Sequence, residues 1–180
     1  MNKRKIILSC ENEFKVVKMV NLGERIKYIR ETYDLTQIEL GNILNVSPSS
    51  IAHYEKNDWF IPMRNLYKMA NYLNLSIDYI LGFTNVKRYD KTVNEINLQE
   101  IAKRIKEICD DQKFSNVKLA KELNSSESNI RNYKTGKYLI LTPFVLQLAL
   151  KYNYSTDWIV GRSENKYVDT ENVQSAVASK

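Results

Sequence analysis

The sequence predicts an all-α protein made of two tandem five-helix units. Three observations lead there. Residues 22–84 align with residues 101–163 without a gap when the chain is slid against itself by 79 positions. Within each stretch apolar residues recur at helical spacing, and no strand-period stretch appears. Ser, Thr and Pro stand where helices should start, and Gly where one should stop. Identical pairs include Arg25/Arg104, Leu40/Leu119, Asn45/Asn124, Ile51/Ile130, Tyr54/Tyr133, Asp78/Asp157 and Gly82/Gly161. Others exchange one apolar residue for another, such as Leu35/Phe114, Ile38/Val117 and Tyr79/Trp158. Two helical stretches of merely similar composition would not hold turn residues and apolar positions in register, so a duplication is expected.

In the first unit, Leu22, Ile26 and Ile29 predict a helix over 22–33. Thr36 with Glu39 three residues later is a capping box that opens a second helix running to Leu44. After a break at Asn45-Val46, Ser47 as cap and Pro48 at the first helical position start a third, ending near Lys56. Pro62 precedes a fourth, Arg64–Leu73, with Leu66, Met69, Ala70 and Leu73 on one face. Ser76 caps a fifth, Ile77–Leu81, which Gly82 stops. The second unit repeats this with Ser115, Ser126 and Ser155 as caps and Pro143 near the first turn of its fourth helix.

The units are expected to span 21–84 and 98–163, joined by a polar linker over 85–97. Residues 164–180, polar and poor in apolar side chains, read as a flexible tail. Residues 1–20 form an N-terminal arm. There Lys5-Ile6-Ile7-Leu8 and Phe14–Met19 are rich in β-branched residues, as in a short β-hairpin. Such a hairpin is marginal alone, so it would need a surface to pack on, a second copy of the chain being one candidate. A frayed basic tail is the alternative, and both stay open.

Composition removes several function classes. Forty-three per cent hydrophobic and 27% charged residues are globular values, neither disordered nor membrane-like. No apolar run approaches the ~18 residues of a bilayer span, and no cleavable leader is visible, so no membrane partner and a cytoplasmic location are expected. Cys10 and Cys109 are too few for a disulfide scaffold or a Cys/His zinc site, and one histidine leaves no His-based metal centre. No Gly-rich phosphate loop, paired-carboxylate motif or nucleophile elbow appears, so neither an enzyme nor a cofactor is expected.

Two short helices joined by a tight turn make a helix-turn-helix, whose second helix can enter the DNA major groove. Here the pattern goes further. Leu35-Thr36-Gln37-Ile38-Glu39-Leu40, the turn Leu44-Asn45-Val46-Ser47, then Ile51-Ala52-His53-Tyr54-Glu55, and finally Leu75-Ser76-Ile77-Asp78-Tyr79-Ile80-Leu81-Gly82 resemble the Cro/CI-type, XRE-family, lambda-repressor-like domain. The resemblance covers both units, about 126 of 180 residues. It implies two such five-helix domains and double-stranded DNA as partner. It places Gln37 at the DNA and Ser47, Pro48, Ser49, Ser50, Ala52 and His53 on the exposed face of the recognition helix. Ser49 and His53 lie one turn apart as base-reading candidates, with Lys56 beyond them. Arg30 and Glu55 match a structural ion pair tying the first helix to the recognition helix. In the second unit the DNA-facing set is Asn116, Ser126, Ser128, Asn129, Arg131, Asn132 and Lys137. There Cys109 and Lys134 replace the ion pair, both partners having changed together, and Glu127 would meet phosphates unfavourably unless it accepts from a cytosine.

His53 has no expected carboxylate partner. Trp158 is expected in the core, Cys109 as a buried small hydrophobe, and Tyr28, Tyr54, Tyr79 and Tyr133 on apolar faces. Trp59 falls in the loop after the recognition helix, free to pack or to touch a sugar-phosphate.

The net charge of +6 is unevenly spread. Residues 1–19 hold five basic and two acidic residues, residues 20–84 six and seven, and residues 98–163 eleven and seven. The arm and second unit are thus expected to supply the electrostatic grip on phosphates, and the first unit the readout. A dimerisation scaffold with a solvated basic face is the other option for the second unit. Extended, the linker spans at most ~40 Å, enough for successive major grooves ~34 Å apart.

The expected function is sequence-specific transcriptional repression by promoter occlusion, of bacterial, phage or mobile-element type as the resemblance implies. The alternative is a protein-interaction module, an antirepressor or anti-defence protein reusing the fold. A homodimer, a protein partner and an inducer all stay open.

Overall fold

The computed structural model describes residues 21–88 and 95–168. Among these residues every regular element is a helix: α1 Leu22–Thr32, α2 Gln37–Leu44, α3 Pro48–Glu55, α4 Met63–Tyr72, α5 Ile77–Leu81, α6 Leu98–Asp111, α7 Asn116–Glu122, α8 Glu127–Lys134, α9 Thr142–Tyr152 and α10 Thr156–Ile159. The β arm expected in residues 1–20 lies outside the described residues.

Local chemistry sets the helix starts. Thr36 and Glu39 form the capping box at α2. Ser47, Ser76, Ser115, Ser126 and Ser155 each accept a backbone N–H from the first turn of α3, α5, α7, α8 and α10. Each removes one orphan donor from a helix end. The stops are equally regular. Left-handed residues occur at Asp34/Lys113, Asn45/Asn124, Asn57/Gly136, Asn74/Asn153 and Gly82/Gly161, and all five pairs are 79 residues apart. Asparagine and glycine tolerate this conformation best, which is why they dominate the set.

Apolar stripes from the helices meet in one core. Ile26, Ile29, Leu40, Leu44, Ile51 and Leu66 fill it in the first five helices, and Ile105, Ile108, Leu119, Ile130, Val145 and Trp158 in the second five. Tyr54 and Tyr133 are buried, whereas Tyr28 is 52% exposed and lies under the Arg25 guanidinium instead of in the core.

After each fifth helix the chain folds back. Ser76 donates its N–H to Lys87 O at 2.6 Å, and Ser155 donates to Lys166 O at 2.9 Å. The packed region therefore runs past both expected boundaries. Val86–Lys87 lie against α5, although the linker was expected to begin at Asn85. Beyond Ser163, Tyr167 bridges Tyr154, Val168 is buried, and Lys166 sits between Glu107 at 2.7 Å and Asp111 at 2.5 Å. The polar composition of Glu164–Lys166 hides this because charged side chains and backbone make the contacts.

The two sets of five helices touch along a seam where α5 packs on α10. Thr156 donates its N–H to Asp78 Oδ1 at 2.7 Å, and the Thr156 hydroxyl donates to the same oxygen. Ser155 Oγ donates to Asp78 Oδ2 at 2.5 Å. In return Asp78 N–H donates to Asp157 Oδ2 at 2.8 Å. Arg162 reaches across to Leu75 O at 2.9 Å and lies over the Tyr67 ring, and Thr142 Oγ donates to Ile61 O at 2.6 Å. Asp78 and Asp157 are wholly buried.

Candidate nucleic-acid interface

α2 and α3 are joined by a turn through left-handed Asn45. Gly41 lies close against this turn, where a Cβ would come within 2.8 Å of Val46 O; Ala120 holds the matching place beside the turn between α7 and α8. Leu40, Leu44, Ile51 and Tyr54 face inward, which forces the opposite side of α3 into solvent. Pro48, Ser49 and Lys56 are exposed on it, with Ala52 and His53 partly so.

The expected contact residues divide into two groups. Ser47 caps α3 through Ser50 N–H, and the Ser47 and Ser50 hydroxyls bond each other at 3.0 Å. Gln37 donates its amide to Glu55 Oε2 at 2.8 Å. These three are engaged within the fold, while Pro48, Ser49 and Lys56 present themselves outward. His53 has the carboxylate neighbour that its sequence context did not suggest: Nδ1 lies 3.0 Å from Asp58 Oδ2, and Trp59 stacks on the ring at 4.2 Å. Trp59 itself is 53% exposed. The spacing of helical positions ends at Lys56, so it could not place Asp58; the loop hydrogen bond from Asp58 N–H to His53 O does.

Arg30 ties α1 to the end of α3. Its Nε donates to Glu55 Oε1 at 2.5 Å, its Nη2 to Oε2 at 3.2 Å and its Nη1 to Leu35 O at 2.7 Å. The Glu55 carboxylate strengthens the hold of the guanidinium on its proton.

α7 and α8 repeat the arrangement. Ser126 caps α8 through Asn129 N–H, and the Asn129 amide donates to Ser125 Oγ at 3.3 Å. Glu127, Ser128 and Arg131 are exposed, and Asn132 partly so. Lys137 is exposed with its ammonium over the Tyr138 ring at 5.3 Å. Asn116, in the position matching Gln37, accepts from Lys134 Nζ at 3.1 Å. The bond thus survives in both sets with its direction reversed. Cys109 is buried beside them; burial pushes its thiol up in pKa, and Lys134 partly opposes that.

Among the described residues, no group of three or more His, Cys, Asp and Glu could hold a metal, and no helix is long and apolar enough to cross a membrane.

A tight turn between two short helices, with the second helix's outer face polar and open, is the geometry of a helix-turn-helix protein. A helix-turn-helix domain family matches residues 23–85. The chain is 32% identical over 88 residues to the HTH-type transcriptional regulator ImmR of Bacillus subtilis strain 168, covering 46% of this chain and 68% of that protein. It is 31% identical over 111 residues to the immunity repressor protein of Bacillus phage phi105, covering 61% and 77%. To the uncharacterized HTH-type transcriptional regulator YobD of Bacillus subtilis it is 30% identical over 81 residues, covering 45% and 70%. The chain belongs to the XRE-type helix-turn-helix transcriptional regulators. No solved structure matches it significantly.

Proposed function

We propose that this chain is a cytoplasmic, sequence-specific repressor that binds double-stranded DNA through two tandem helix-turn-helix domains and blocks a promoter by occupying it. The carrying observation is the open outer face of α3, fixed by the Ser47 cap, the buried Ile51 and Tyr54 behind it and the Arg30–Glu55 tie. Recurrence of all five left-handed positions at the same spacing supports a second domain of the same design. On α3 the DNA-facing groups are Pro48, Ser49, His53 and Lys56; on α8 they are Ser128, Arg131 and Asn132, with Lys137 beyond. Gln37 and Asn116 stand at the starts of α2 and α7, where they reach the backbone while held by Glu55 and Lys134. The names of the matched relatives, an immunity repressor among them, favour repression over a protein-interaction role.

Fluorescence anisotropy on labelled random duplex at several salt concentrations tests this. Log affinity should fall linearly with log salt, with a slope of about −0.9 per phosphate neutralised. No binding at low salt would overturn it.

A further inference from the structure

The seam has a geometry that a simple string of two domains would not need. Asp78 and Asp157 hold the same place in the two sets of helices, 79 residues apart, and so do α5 and α10. Each of these elements therefore packs on its own equivalent. The contacts at the two aspartates are exchanged as well, although those of Arg162, Thr142 and the Ser155 hydroxyl run one way only. The Asp78 carboxylate takes hydrogen bonds from the N-terminus of α10, and the Asp157 carboxylate takes one from the N-terminus of α5. Contacts in which position i meets j while j meets i mark an isologous, two-fold interface; head-to-tail stacking joins two unlike faces. Ile77, Ile80 and Ile159, on the two paired elements, are fully buried within the one chain.

The structure points to a self-contained pseudo-dimer: we infer that α5 and α10 pair about an internal two-fold axis, so that a single chain occupies one inverted, bipartite DNA site whose two halves differ in sequence. This rests on the DNA-binding function proposed above. Inverted geometry follows because operator symmetry mirrors protein symmetry. Unlike halves follow because the helices that read them differ. α8 carries Arg131 and Asn132, whose side chains suit bidentate bonds to guanine and adenine. The matching positions on α3 are Ala52 and His53, the former able only to touch a thymine methyl and the latter flanked by Asp58 and Trp59. Sequence reading thus falls more heavily on α8 than the motif in the first unit alone suggests, and α8 belongs to the more basic of the two sets of helices.

The test uses the full chain and duplexes selected from a random pool. Sedimentation of the free protein should give a monomer of 21.1 kDa, and of the complex one chain per duplex. The selected site should read as two inverted half-sites of unequal sequence. Inserting about five base pairs between them, roughly half a helical turn, should weaken binding at least about ten-fold, because the seam fixes the two helices relative to each other. Arg131→Ala, an exposed change, should lower base discrimination about 5- to 100-fold in one half-site and leave the other unchanged. Two chains on a symmetric palindrome, or indifference to the inserted spacing, would overturn the pseudo-dimer while leaving DNA binding intact. Absence of any duplex binding would overturn the function itself and this inference with it.

Discussion

Arg30, Glu55 and Gln37 meet at one point, and the partners they choose decide how each tolerates change. Arg30 is 8% exposed and Glu55 9%, so neither charge is solvated well enough to stand alone. Glu55→Ala should cost about 3–5 kcal/mol in urea unfolding, because it strands a buried guanidinium. The second set of helices shows a different solution with Cys109, Lys134 and Asn116. Transplanting it whole, as Arg30→Cys with Glu55→Lys and Gln37→Asn, should recover most of the stability that Glu55→Lys alone loses; equal losses would contradict this. The linked change at Arg30 and Glu55 is legible in the sequence because both members differ at once. Gln37 is less so: its place at the start of α2 suggests DNA, and only the folded chain shows its amide turned to Glu55.

Among the elements, α1 and α3 approach unusually closely. A Cβ on Gly23 would lie 2.3 Å from Glu55 O and 2.6 Å from Tyr54 O, both backbone atoms that cannot swing away. The matching residue on α6 is Ala102, which is buried without such a constraint being visible in the sequence. Gly23→Ala should therefore destabilise the protein by about 1–3 kcal/mol or more through overpacking. Ala102→Gly should cost only about 0.5–1 kcal/mol, the usual helix penalty of glycine. Thermal unfolding of the two variants checks the asymmetry. Helix limits in the first set are legible to within about a residue, since the caps at Thr36, Ser47 and Ser76 and the stop at Gly82 are local chemistry. Segments tied down by long-range backbone bonds are not, as Lys87 and Lys166 illustrate.

For the whole molecule the seam sets a pH dependence. Burial first, and then the nearby Asp78 carboxylate, push the Asp157 carboxyl up to about 7; Arg162 and the Ile77 and Asp78 N–H groups pull the other way. A carboxyl harder to ionise in the folded state than in the unfolded chain makes stability fall as pH rises, here from about pH 4 to about pH 7. Asp157→Asn keeps an oxygen to accept the Asp78 N–H and removes the titration. The thermal midpoint of this variant relative to the natural protein should rise by a few degrees between pH 5 and pH 8. Parallel midpoints across that range would show that Asp157 does not titrate there. The identity of Asp78 and Asp157 is plain in the sequence, but their meeting is not, because self-similarity says which positions correspond and nothing about which touch.

The two sides of the seam are also encoded by different stretches of one chain. In a homodimer every substitution is inherited twice, so a change that harms the pairing harms it on both faces at once. Here Arg30 and Glu55 stand in one half and Cys109 and Lys134 at the corresponding sites of the other, and a substitution in either half alters only its own side. Symmetry in this molecule is held by contact, not by shared coding, and its halves are free to become unlike.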